Sequence, residues 1–443
     1  MKVLFKKLIE NRSLSLQCFL MGRFAGALLV SILLAKSYLW MQNPIDTVGI
    51  GQYELFLFIA GFINFFWINA LVSGLLSFVD TNNHQSLNNK LAQTFYLFGA
   101  LSLIFGLLFA FGQYFFIIFD NVGVVILSGA LIYSLFWTPS MLLEYTFVLK
   151  KQTLPLYLSG FITPLFFLLF SITGAYTTQS VDGVIFGTVL FAFLRFVATS
   201  VILFRNGVPK VDLAWIKKLL FFSAPLVISA IIAESGVYID GIIVNSLFDE
   251  QTFAIFRYGA RELPLNSILA VGLYNAMIPM FSSTTNSDVE LSELKNKTRR
   301  LLILLVPISI LFLIFSDWLF ANVFNEAFKQ SAIVFDVYLL LVIPRLLLPQ
   351  TIIVGFKRNN LLVWVSIIEI ITNVALSIWW GIIWGIFGVA LATLVAFIVE
   401  KVTMIYLTNK HIDIKPSKYI PIKTFTLLSI AITTAFLAKY FLF

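Results

Sequence analysis

Eight ionisable side chains stand inside long apolar stretches, where a charge is costly: Arg23, Arg195, Arg257, Arg261 and Arg345, with the acids Glu234, Asp240 and Glu369. Charges placed this way are functional candidates by default, because hydrocarbon gives them no partner. At roughly 1.5 Å per residue, Arg23, Arg195 and Arg345 reach a common depth of about 14–15 Å from one side, whereas Arg257 and Arg261 lie about 7 and 13 Å from the other. The latter two are four residues apart, hence on one helix face, and no acid stands three or four positions from either. Unmatched guanidinium groups suit a diphosphate, whose oxygens accept forked hydrogen bonds. The acids suit another chemistry, since a carboxylate at that depth can hold a proton or Na⁺.

Two arrangements satisfy these charges. The five arginines can line a cavity and hold an anionic group, with Tyr238 and Tyr258 as candidate aromatic contacts beside it. Alternatively they pair with acids, since Asp240 stands at the depth of Arg261 and Glu369 near that of Arg345. Glu54 and Glu144 fall close enough to span ends to be solvated, Glu400 and Lys401 read as interfacial, and Lys439 as peripheral.

The elements that must position these groups are membrane-spanning helices. A span needs roughly 20 mostly apolar residues, and such stretches occur near 14–37, 53–79, 91–118, 122–149, 154–176 and 181–204. A second set follows near 219–247, 253–281, 300–324, 331–355, 361–380 and 385–407, with a thirteenth at 422–442. Every second loop carries Lys and Arg: Lys2, Lys6, Lys7 and Arg12 come first, and Lys410, Lys415, Lys418 and Lys423 last. Such charge is retained on the cytoplasmic side, so the N-terminus is expected inside. The first stretch, Leu14 to Ser37, is longer than the apolar region of a cleaved leader and reads as a retained helix. No loop is long enough to form a domain, so function must reside among the helices. Pro225, Pro264 and Pro344 are hinge candidates.

The two sets repeat. Leu142–Val148 followed by Lys150 and Lys151 echoes Leu347–Ile353 followed by Lys357 and Arg358, while Gly187 and Phe196 align with Gly388 and Phe397. An even number of spans per half gives parallel repeats about an axis along the membrane normal. The division is a lobe at 1–204, a cytoplasmic linker at 205–218, a lobe at 219–407, and a loop plus extra helix at 408–443. Composition excludes other chemistry. Cys18 is the one cysteine, and His84 and His411 both fall in cytoplasmic loops, so a disulfide, a cysteine metal site or an intramembrane histidine centre is not expected. The net charge of +8 is the positive-inside bias facing anionic headgroups and calls for no nucleic acid.

Several segments carry a family likeness: Gly51–Leu55, Ser223–Leu226, Phe253–Pro264, Glu369–Leu376 and Gly385–Thr393. With them the chain resembles the polysaccharide (O-antigen or capsule repeat-unit) flippases of the multidrug/oligosaccharidyl-lipid/polysaccharide exporter superfamily. The resemblance implies an all-α, MATE-like integral membrane protein: two six-helix bundles in pseudo-twofold arrangement with a C-terminal helix added. It implies alternating access and no cofactor, with an undecaprenyl-diphosphate-linked oligosaccharide moved across the bacterial inner membrane for surface polysaccharide. A proton or Na⁺ as coupling ion, a polymerase and a chain-length regulator are the partners it implies besides membrane lipid. On the same fold, a drug or organic-cation antiporter is the alternative, although it would want a cavity dominated by acids. A membrane polymerase or ligase fits less well, because the large outer loop such enzymes carry is missing.

Overall fold

In the computed structural model the described residues are 12–78, 84–116, 122–205, 207, 211–261, 269–270, 273–274, 277, 281, 288–356, 358 and 360–441. They fold as helices and short connections, in two compact units, Met1–Glu234 and Ser235–Phe443. Large apolar side chains such as Leu107, Phe186, Val201, Trp364, Ile382 and Leu427 face outward. A hydrocarbon surrounding makes that arrangement stable, and the buried polar groups then find partners inside the protein. Seven helices among the described residues are long and apolar enough to cross a membrane, or nine when two bent pairs are each one span.

The N-terminal unit holds α1 (Arg12–Ala35), α2 (Thr47–Phe62), α3 (Phe65–Phe78), α4 (His84–Phe116), α5 (Val124–Ser140), α6 (Leu142–Leu149), α7 (Thr153–Thr178) and α8 (Val181–Phe204). The unit boundary falls within α9 (Leu213–Leu247). Asp46 caps α2 by accepting from the Gly49 amide at 2.8 Å. The span expected at 53–79 therefore starts earlier, and it bends by 50° between α2 and α3. Asn64 stands at the break and donates from Nδ2 to the Ala60 carbonyl at 2.9 Å. Helices approach closely where side chains vanish. A Cβ on Gly22 would collide with the Gly160 carbonyl, and one on Gly187 with that of Phe170, which sets α1 against α7 and α7 against α8.

The C-terminal unit continues with α10 (Glu250–Gly259), α11 (Asp288–Leu319), α12 (Ser331–Leu340), α13 (Val342–Arg345), α14 (Pro349–Gly355), α15 (Asn360–Ile412), α16 (Pro416–Tyr419) and α17 (Ile422–Phe441). The helix expected over 253–281 breaks after Gly259, ahead of Pro264, because a proline disfavours helix just before it, and the described residues from 269 to 281 are helical again. Helix α11 begins in the expected loop at 282–299. Its first turn carries Asp288 and Glu290, acids that suit a helix N-terminus, whereas hydropathy registers only the apolar remainder. Helix α15 is two helices joined at Gly385, whose φ of 64° and ψ of −148° suit glycine. Its 53 residues would otherwise extend well beyond a bilayer core of ~30 Å. Of the hinge candidates, Pro344 lies at the 44° bend between Ser331–Arg345 and α14. Pro264 and the Pro225 side chain are outside the described residues.

Candidate functional site

In the N-terminal unit, the break after Pro139 turns α6 so that Glu144 faces inward, with 1% of its surface exposed. Glu144 Oε2 accepts from Arg195 Nη2 at 2.5 Å, and the same nitrogen reaches the Ser140 carbonyl at 3.4 Å. The expectation that Glu144 and Glu54 are solvated is corrected. Both are buried, and Ser31 Oγ approaches Glu54 at 3.4 Å. Distance from a helix end says nothing of the face on which a residue stands.

Trp137 joins two of the expected arginines. The guanidinium carbon of Arg195 lies 4.4 Å from its ring centroid and that of Arg23 5.5 Å. Tyr133 stacks on the same indole at 5.5 Å. Arg23 is half-buried and within Coulombic range of Glu144 and Arg195. One carboxylate thus faces two guanidinium groups, and the cluster keeps a net positive charge. In a low-dielectric setting that charge attracts an anion far more strongly than it would in water.

The C-terminal unit gathers the acids. Asp240 is 1% exposed and accepts from Thr393 Oγ1 at 2.6 Å, Asn373 Nδ2 at 3.1 Å and Tyr338 Oη at 3.2 Å. The alternative of an Asp240–Arg261 bridge is not what forms, and three neutral donors from three other helical segments hold the carboxylate. Asn373 Oδ1 and Ser377 Oγ, one turn apart and buried, have no hydrogen-bond partner. The Asp240 carboxylate, the Thr393 hydroxyl and the Asn373 amide thus meet in one buried polar cluster. Among the described residues no group of three or more His, Cys, Asp or Glu side chains could hold a metal ion.

Glu369, 9% exposed, lies within Coulombic range of Glu400, Lys401, Asp240 and Arg345 without forming an ion pair with Arg345. Arg345 instead sits over Phe397, 4.9 Å from the ring centroid. Lys401, whatever its depth, points into the protein. It is 6% exposed, paired with Glu400 at 3.0 Å and hydrogen-bonded to Gln350 at 3.4 Å. Lys439 is not peripheral, since it bridges Asp317 at 2.6 Å and Asp336 at 2.7 Å. Both lysines stand near the ends of apolar stretches, and only packing of neighbouring helices shows that they point inward.

Arg257 lies half-buried in α10, and Arg261 follows the helix end, 4.6 Å from the Tyr258 ring centroid. Because α10 ends between them, they do not share the face of one continuous helix. The structure gathers Arg23 with Arg195, and Glu369 with Asp240 and Arg345, each inside one unit. The Glu234 side chain lies outside the described residues. Sequence reasoning missed Trp137, Gln350, Lys401 and the donors around Asp240, which are neutral or stand near span ends. Thr393 and Asn373 lie in the quoted family motifs, the one signal that could have found them.

Residues 155–443, about two thirds of the chain, match the family model for the lipid II flippase MurJ. In fold the chain is similar to a lipid II flippase MurJ in an inward closed conformation, at 15% identity over 96% of this chain and 92% of that one, with a TM-score of 0.69. It is also similar to the MATE multidrug transporter DinF-BH, at 14% identity over 91% and 95% and a TM-score of 0.57. An outward-facing MATE family transporter of the MOP superfamily gives 12%, 97% and 98%, with a TM-score of 0.51. At these identities the structural likeness shows the fold alone. No curated protein sequence matches the chain. The all-α, MATE-like fold is thus established, and by the family match this multi-pass membrane protein belongs to the MurJ lipid II flippase family.

Proposed function

We propose that this protein moves a saccharide carried on undecaprenyl diphosphate from the cytoplasmic to the outer leaflet of the bacterial inner membrane, by alternating access and with its N-terminus in the cytoplasm. The observation that carries this reading is the buried positive cluster in the N-terminal unit, where Glu144 answers Arg195 and leaves the charge of Arg23 for an anion. Arg257, Arg261 and Arg345 are the further candidate contacts to the headgroup. Family membership favours lipid II as the cargo. The surface-polysaccharide repeat unit suggested by the sequence motifs shares the same diphosphate and is the second reading. A cationic drug would be repelled by Arg23, which disfavours the antiporter alternative.

The Asp240 cluster is the candidate coupling site for Na⁺ or a proton, with the unpartnered Asn373 oxygen as a further ligand. Depletion in the host tests the cargo. Lipid II accumulating on the cytoplasmic face, followed by lysis, supports the first reading. Accumulation of a surface-polysaccharide intermediate in viable cells supports the second. The variants Arg23→Ala and Arg257→Ala with Arg261→Ala should reproduce the phenotype at normal protein level. Undiminished flipping in both would overturn the headgroup assignment, and ethidium efflux would favour the antiporter.

A further inference from the structure

In the C-terminal unit, Arg345 at the end of α13, Gln350 in α14, Phe397 and Lys401 in the second half of α15, and Tyr274 line a cavity of about 210 Å³. Each polar group has a defined setting. Arg345 is held over the Phe397 ring, which fixes the plane of its donor fork. Lys401 points its ammonium to Glu400 and to Gln350 Oε1. With Oε1 accepting, the NH₂ of Gln350 is left to donate. Two cations and an amide donor around a space of this size form the donor set of a tetrahedral oxyanion.

The acids set the strength of such a site. Glu400 pairs with Lys401, and Glu369 lies within Coulombic range of both cations, so four charges cancel locally. A carrier must release what it binds, and two cations without counter-charges would hold a phosphate too firmly. We infer that this cavity is an oxyanion subsite for a phosphate or diphosphate group, in which Arg345, Lys401 and Gln350 supply the donors while Glu369 and Glu400 keep affinity low enough for release. Its link to transport rests on the flippase reading above. The anion itself is either the diphosphate of the lipid-linked cargo or free phosphate.

Titration calorimetry of the full chain in detergent micelles with inorganic pyrophosphate tests the site. One binding component should weaken at least tenfold in Arg345→Gln and in the charge-conserving pair Glu400→Gln with Lys401→Gln, and tighten several-fold in Glu369→Gln. Should the charge variants fail to fold, Gln350→Leu removes a donor and no charge, and should weaken the same component several-fold. Competition by farnesyl diphosphate below the concentration needed with pyrophosphate assigns the anion to the lipid, and the reverse order assigns it to free phosphate. Either order supports the subsite. Folded variants that all leave binding unchanged, or a Glu369→Gln that binds more weakly, would overturn it. Loss of the subsite beside a confirmed depletion phenotype overturns the subsite alone, whereas failure of the depletion phenotype strikes the flippase reading.

Discussion

The guanidinium of Arg195 has lost its water, and Glu144 and the Trp137 face replace part of that hydration. Removing one partner of a buried ion pair strands the other, at a cost of about 3–5 kcal/mol, although replacing both can be nearly neutral. Glu144→Gln and Arg195→Gln are therefore each expected to lower the melting midpoint in detergent, and the double variant to recover part of the loss. Strictly additive losses would show that the pair is not coupled. Trp137→Phe retains a ring and Trp137→Leu does not. If the indole positions Arg23, transport should survive the first better than the second while both variants stay folded.

At the scale of the element, glycine decides where helices meet. Gly388 faces the Trp380 carbonyl so closely that any Cβ collides with backbone, and Gly385 makes the turn that brings them together. Overpacking costs about 1–3 kcal/mol when side chains can yield, and a carbonyl yields less. Gly388→Ala should lower folded yield sharply. Gly99→Ala, whose Cβ would meet Pro139 at an ordinary 3.7 Å, should not. Equal yields would contradict the close approach. Helix α17 is fixed differently. Lys439 sits between Asp317 and Asp336, while Tyr440 donates to Asp336 at 2.5 Å. Lys439→Met leaves two carboxylates facing one another and should loosen α17, read as earlier proteolysis within 408–443.

For the whole molecule, the alternation of basic loops implies a topology that chemical labelling can check. In a variant lacking Cys18, a cysteine at exposed Gln251 should react with an impermeant maleimide in spheroplasts. One at exposed Ser417 should react only after permeabilisation. Labelling of both in intact spheroplasts would refute the orientation. Basic residues retained on the cytoplasmic side supply the physical reason for the expected result.

The sequence by itself determined that the chain is a helical membrane protein, because hydrocarbon admits few other ways of satisfying the backbone. It also singled out charges such as Arg23, Arg195, Asp240 and Glu369, since an ionisable residue in an apolar run is conspicuous whatever its neighbours. Which charges meet was not legible. Arg195 finds Glu144 across 51 positions, and Asp240 finds Thr393 across 153. Those pairings depend on where helices break, at Pro139, after Gly259 and at Gly385, and on which face each segment then turns inward. Hydropathy measures depth along a helix and carries no azimuth, so Glu144 read as solvated, Lys401 as interfacial and Lys439 as peripheral until their neighbours were packed around them. Only the tertiary structure decided that Arg195 is matched by an acid, and that Asp240 is held by neutral donors rather than by an arginine.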